Sequence, residues 1–281
     1  MMTPDRADAA RALLAFYAEA GVDLAVGEVA VDRLAVAEAV PAPLARPPAM
    51  PAEPPRNGPK PELARRDPPP LAAAPATPDA AIMAARDAAK NAPSLEVLRG
   101  ILETFEGCAL RATAKQLVFA DGNPQAAVMF VGEAPGREED LEGLPFVGRS
   151  GKLLDRMLAA IGLTRTNAYV ANIVPWRPPG NRTPTPQESQ ICLPFVRRQI
   201  ELANPDVLVC LGGPATAALL GVKEGIKRTR GRWFKYDTGS REIRAIATFH
   251  PAYLLRSPLE KRLAWRDFLA IKAALDAAPR A

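Results

Sequence analysis

The sequence predicts an α/β fold, layered α/β/α around a central four-stranded parallel sheet, from three observations. Four short apolar runs, residues 127–131, 168–174, 206–211 and 245–249, are continuous rather than alternating, as strands buried on both faces are. Stretches of helical periodicity separate them, so strand and helix alternate along the chain. Turn and capping chemistry marks the joints, most clearly at Thr185-Pro186-Gln187-Glu188, a capping box with proline at its first helical position.

Taken in order, residues 8–20 form an amphipathic helix candidate with Leu13, Leu14, Phe16 and Tyr17 on one side and Gly21 as its stop. This arm covers residues 1–40. Residues 41–79 change composition sharply, with Pro47-Pro48, Pro54-Pro55 and Pro68-Pro69-Pro70, and read as an extended, disordered linker. The catalytic domain is expected over residues 80–281. Behind Pro93-Ser94, the residues Val97, Leu98, Ile101, Leu102 and Phe105 recur at helical spacing until Gly107. A helix over 151–161 stops at Gly162, and the capping-box helix runs to about Ala203. Ser257-Pro258-Leu259-Glu260 repeats the capping device for a final helix through Leu275.

With 281 residues the chain can bury one sizeable core without covalent staples. It has no apolar run of about 18 residues, so a membrane span is not expected. The N-terminus, Met1-Met2-Thr3-Pro4-Asp5-Arg6, lacks the layout of a secretory signal. Three scattered cysteines, Cys108, Cys192 and Cys210, argue against a disulfide framework and for a reducing cytoplasm, and a monomer is expected. The net charge of +5 permits a polyanionic partner without demanding one. Its placement is more telling: Arg177 and Arg182 flank a Pro-Pro-Gly-Asn loop, Arg228, Arg230 and Arg232 adjoin Trp233, and Arg256 follows the histidine motif. Such cations suit a phosphate backbone or an ordinary solvated surface.

Two strand ends carry the candidate chemistry. Gly132-Glu133-Ala134-Pro135-Gly136 follows the first apolar run, delivering a carboxylate to the carboxyl edge of the sheet, where open α/β folds place their sites. The only histidine, His250, follows the last run and precedes Pro251. Asn172 interrupts an apolar strand, where a buried amide is costly unless paired, so it needs a structural partner or a ligand. Phe146, between Pro145 and Gly148, suggests a loop-borne stacking face more than a core residue.

These residues stand in longer motifs. Gly132-Glu133-Ala134-Pro135-Gly136-Arg137-Glu138-Glu139-Asp140 leads to Gly143-Leu144-Pro145-Phe146-Val147-Gly148-Arg149-Ser150-Gly151-Lys152. Asn172-Ile173-Val174, the loop Arg177-Pro178-Pro179-Gly180-Asn181-Arg182, and His250-Pro251-Ala252-Tyr253-Leu254-Leu255-Arg256 follow in order. From about Gly107 to Phe268 the chain resembles the type-4 uracil-DNA glycosylases. The resemblance implies hydrolysis of the N-glycosidic bond of deoxyuridine in DNA, releasing uracil and leaving an abasic site for base-excision repair. The alternative is a catalytically silent DNA-binding relative that keeps the pocket. A metal-dependent nuclease is poorly served by one histidine.

The resemblance assigns roles residue by residue. Phe146 would stack on a flipped uracil and Asn172 would read its donor-acceptor edge. Gly132 and Ala134 would border the base, and Glu139 would shape the pocket. His250, as a neutral donor, would stabilise the departing base. Glu133 would either stabilise the cationic sugar or position water. Glu138 and Asp140 read as solvated charges, and a metal site on this acidic run is a minor alternative. On the DNA side stand Arg149 and Lys152 at a helix start, Arg182, Arg256, and a wedge drawn from Leu254 and Leu255, for which packing is an equal competitor.

The pattern breaks at the iron–sulfur cluster typical of the family, held by four cysteines. Cys108 and Cys192 match two of the positions, whereas Phe105 and Trp176 stand at the other two. No cofactor is therefore expected, and the two aromatics suggest an apolar plug in the cluster's volume. Cys210 reads as a buried strand residue.

Overall fold

The computed structural model describes residues 78–277. The arm and linker expected over 1–40 and 41–79 lie almost wholly outside them. Helix α1 (Pro78–Lys90) is followed by α2 (Leu95–Thr104), whose Ser94 cap accepts the Val97 N–H. A short α3 (Leu110–Thr113) leads to β1 (Asp121–Gly122) and β2 (Val128–Gly132). Then come α4 (Arg137–Glu142), α5 (Arg149–Ala159), β3 (Tyr169–Asn172) and α6 (Pro186–Ala203). Strand β4 (Val207–Leu211), α7 (Gly213–Leu220), α8 (Ile226–Thr229), β5 (Trp233–Asp237) and β6 (Glu242–Thr248) follow. The chain finishes with α9 (Pro251–Arg256) and α10 (Lys261–Asp276).

The sheet has six strands in the order β1-β3-β2-β4-β6-β5. Its centre, β3-β2-β4-β6, is parallel, as the four apolar runs predict. The two edges correct that expectation. β1 and β5 pair antiparallel to β3 and β6, giving a mixed sheet. Neither edge carries an apolar run: β1 is two residues long, and β5 is half-exposed with Lys235 facing solvent.

Strand periodicity divides the core. Met129, Val131, Ala171, Leu208 and Cys210 face one helical layer with Leu98, Phe195 and Ile200. Val128, Phe130, Val170, Val209 and Leu211 face the other, with Leu154, Phe268 and Ile271. Thr185 and Glu188 form the expected capping box of α6. The second box does not form: Ser257 makes no side-chain cap, and a 3₁₀ turn, Pro258–Glu260, intervenes before α10. The ends of the central strands bring Gly132, Asn172, Leu211 and, just past β6, His250 to one edge of the sheet.

Candidate active site

That edge opens on a cavity of about 850 Å³, lined by Glu133, Phe146, Asn172 and His250 among others. The four residues chosen from sequence converge in one place. Gly132 and Asn172 are register partners on β2 and β3. A Cβ at Gly132 would lie 2.5 Å from Asn172 Oδ1 and 2.5 Å from Phe146 Cζ, so only glycine lets amide and ring approach the strand end. Ala134 and Glu139 also border the cavity.

Phe146 combines the two readings weighed for it. It lies in a loop with φ of 57° yet is buried, with its ring 5.4 Å from that of His250 at an interplanar angle of 30°. Arg165 holds this left-handed turn from behind, donating to the carbonyls of Phe146 (2.8 Å) and Pro145 (3.2 Å) while paired with Asp121 and Asp155. Gly151 makes the turn possible, since a Cβ there would lie 1.7 Å from the Phe146 carbonyl oxygen.

Two polar atoms stand apart from every other buried side-chain oxygen or nitrogen among the described residues: Glu133 Oε1 and Asn172 Oδ1 have no hydrogen-bond partner. Each such group costs about 1–3 kcal/mol when left unmet. Burial raises the pKa of Glu133, and the Thr183 hydroxyl opposes part of that rise. His250 caps α9, its Nδ1 accepting the Ala252 N–H at 3.1 Å. That bond leaves the proton of the neutral ring on Nε2. Burial first, and the charge of Arg256 second, lower its pKa from 6.5 to about 4. The imidazole is therefore an uncharged donor at neutral pH. Gly212 (φ 91°) runs close beside it, with a hypothetical Cβ 3.0 Å from that of His250.

The acidic run divides in a way its spelling does not reveal. Glu139 is buried, and its carboxylate accepts the N–H groups of Gly136, Val147 and Gly148, tying the Glu133 loop to the Phe146 loop. Asp140 is not a solvated charge: it is 2% exposed and accepts from the Lys115 and Gln116 backbone, with Arg177 3.8 Å away. Glu138 is exposed as expected. No group of three or more His, Cys, Asp or Glu among the described residues is arranged to hold a metal ion.

Arg149, Leu255 and Arg256 border the cavity mouth, with Lys152 exposed one turn along α5. Leu254 is a correction. It is fully buried against Phe249 and Ala264, which leaves Leu255 as the leucine of the pair that borders the cavity. Arg182 lines the cavity but is held by Glu188 through bonds of 2.8 and 2.7 Å. Arg230, grouped from sequence with surface cations, forms a buried pair with Asp267 instead. Thr183, Gly212 and Arg165 were not singled out from sequence. Thr183 was signalled only by following Arg182, and Arg165 by nothing local.

The family's cluster does not fit the residues present. Cys108 and Cys192 are buried free thiols with sulfurs 4.0 Å apart. Trp176 is 2% exposed in the same apolar cluster, and Phe105 packs edge-on against Phe195 with centroids 4.9 Å apart. Two cysteines beside two aromatic rings are not the four-thiolate set such clusters require.

Residues 119–269 match the uracil DNA glycosylase superfamily. A type-4 uracil-DNA glycosylase of Archaeoglobus fulgidus is 41% identical over 180 residues, 63% of this chain and 90% of that protein. One from Thermotoga maritima is 42% identical over 164 residues, 58% of this chain and 84% of its own length. One from Saccharolobus solfataricus is 37% identical over 191 residues, covering 66% and 88%. With that match spanning more than half of it, the chain belongs to the uracil-DNA glycosylase superfamily, among relatives of type 4.

Proposed function

We propose that this protein is a monofunctional uracil-DNA glycosylase, acting on deoxyuridine in DNA and leaving an abasic site. The observation that carries the reading is the pair of unmet buried oxygens, Glu133 Oε1 and Asn172 Oδ1, in one cavity with the Nε2–H of His250. A target nucleotide turned out of the helix brings the groups those atoms lack. Asn172 Oδ1 accepts the N3–H of uracil while its amide donates to O4. Cytosine, with a bare N3 and an amino group at C4, leaves both ends of that amide opposed. Phe146 supplies a face for the ring.

As the C1′–N1 bond breaks, its electron pair leaves with the base and charge gathers on O2. His250, held neutral by burial, donates from Nε2 to that oxygen. The sugar becomes an oxocarbenium cation, against which the desolvated Glu133 carboxylate is a strong counter-charge. Water adds to C1′, and its proton passes to Glu133 or to solvent. The chemistry resides in residues 80–281, while 1–40 and 41–79 serve as arm and tether. Phe105 and Trp176 plug the volume that the family gives to iron and sulfide, so purified protein carries neither in stoichiometric amount. Oligonucleotides differing only in U or T test the main reading. Release of free uracil from the first alone, undiminished by EDTA, is expected. Tight binding without release would make the protein a silent relative.

A further inference from the structure

Beyond the base cavity, α5, α9 and α10 enclose a second, apolar hollow of about 210 Å³. Its floor includes Leu153, Met157, Leu254 and Phe268, and Trp265 stands at its lip with 43% of its surface exposed. A tryptophan in that state on a soluble helix is unusual, because it leaves a large apolar ring in water. Its surroundings are cationic. Arg156 and Lys261 line the hollow, and Arg262 and Arg266 are exposed on the same helix as the ring. Arg149, Lys152 and Arg156 fall at i, i+3 and i+7 of α5 and so share one face running from the base cavity to the hollow. None of these six cations pairs with a carboxylate among the described residues, whereas Arg165, Arg230 and Arg232 nearby all do.

We infer that this hollow is a second nucleotide site, where Trp265 stacks on an unpaired base of the strand whose uracil occupies the main cavity. The inference rests on the glycosylase reading, since that reading supplies the strand. Arg149 and Ser150 border the first cavity and Arg156 and Met157 the second, so the two lie about 10 Å apart along α5 at 1.5 Å per residue. One or two nucleotides of an extended strand span that distance. An exposed aromatic flanked by unpaired cations is how proteins hold single strands without reading sequence, because every base has a π-face. A duplex keeps its bases stacked on one another and offers none to Trp265.

The test is binding of a fluorescent oligothymidine without uracil to the full chain, followed by anisotropy. Trp265→Ala should weaken binding about tenfold, and Trp265→Phe, which keeps a ring, should stay near wild type. Arg156→Gln and Lys261→Gln should each lower the slope of log affinity against log salt by roughly 0.7. On uracil substrates, Trp265→Ala should raise KM for single strands, with kcat unchanged and duplex excision unaffected. Normal binding by Trp265→Ala, or equal losses on single strands and duplex, overturns the inference and leaves the glycosylase reading intact. Absence of uracil release by wild type, with Trp265-dependent binding preserved, overturns that reading instead and leaves the hollow as a site for single strands.

Discussion

Glu133, just past β2, and Asp267, on α10 against the last residue of β6, are both carboxylates at the ends of central strands, yet their surroundings are opposite. Asp267 is 1% exposed and fully met, by the Arg230 guanidinium on both oxygens and by the Thr248 hydroxyl at 2.7 Å. Glu139 and Asp140 are likewise consumed by backbone N–H groups. Glu133 and, beside it, Asn172 keep an oxygen with no partner. Among the described residues, every buried side-chain oxygen or nitrogen finds a partner except at the wall of one cavity. Unmet capacity there is what a ligand must complete, so incomplete pairing, more than acidity, separates site from scaffold.

The largest effects should come from removing the unmet groups. Glu133→Gln should lower single-turnover uracil excision by about 10²–10⁴, and His250→Ala by about 10²–10³. Thermal melting should show Glu133→Gln at least as stable as wild type, because a desolvated carboxylate is replaced by a neutral amide. A clear fall in Tm for Glu133→Gln would mean that the carboxylate has a structural partner, and the contrast with Asp267 would fail.

The scaffold side should behave in reverse. Arg230→Met leaves Asp267 in the core without its counter-charge and with only the Thr248 hydroxyl as partner, which should cost about 3–5 kcal/mol in urea denaturation. Excision per folded molecule should hardly change. Trp176→Ala, deep in the apolar cluster around Cys108 and Cys192, should also cost about 3–5 kcal/mol by opening a cavity. The same variant serves as a check on the plug, since a tryptophan that merely covered a cluster would be less costly to remove.

Much of the fold and site was legible in the sequence, for reasons visible in particular residues. The four central strands announce themselves because burial on both faces forces continuous apolar runs, and Thr185 with Glu188 states a helix start through its own hydrogen bonds. Strand β5 was missed because an edge strand keeps one side in water, as Lys235 does, and so carries no such run. Ser257 and Glu260 spelled a capping box whose geometry a 3₁₀ turn replaced. Glu133, Asn172 and His250 were readable since each is a polar residue where the pattern demands an apolar one. Asp140, Arg230 and Leu254 were misread because sequence gives no burial for a charged or apolar residue outside a run. Arg165 acts on Phe146 from 19 positions away, a distance local patterns do not cross.

The smallest effect, and the finest test of the comparison, is on pH. In the proposed reaction Glu133 must be ionised to oppose the sugar cation, and its pKa is raised by burial, whereas His250 stays neutral down to about 4. The acid limb of kcat should therefore follow Glu133 and vanish in Glu133→Gln, with residual activity flat until His250 charges. Stability carries the opposite signs. His250, lowered from 6.5 to about 4 on folding, contributes stability that is full above pH 6.5 and is lost as pH falls through about 4. Glu133, raised on folding, contributes in the reverse sense: its share is full below its unfolded pKa and is lost as pH rises through the folded value. The two partly cancel in wild type. In Glu133→Gln the histidine acts alone, so stability should fall more steeply between pH 6.5 and 4 than in wild type, and in His250→Ala less steeply. Identical slopes for all three proteins would mean that the cavity is wetter than its unmet oxygens imply.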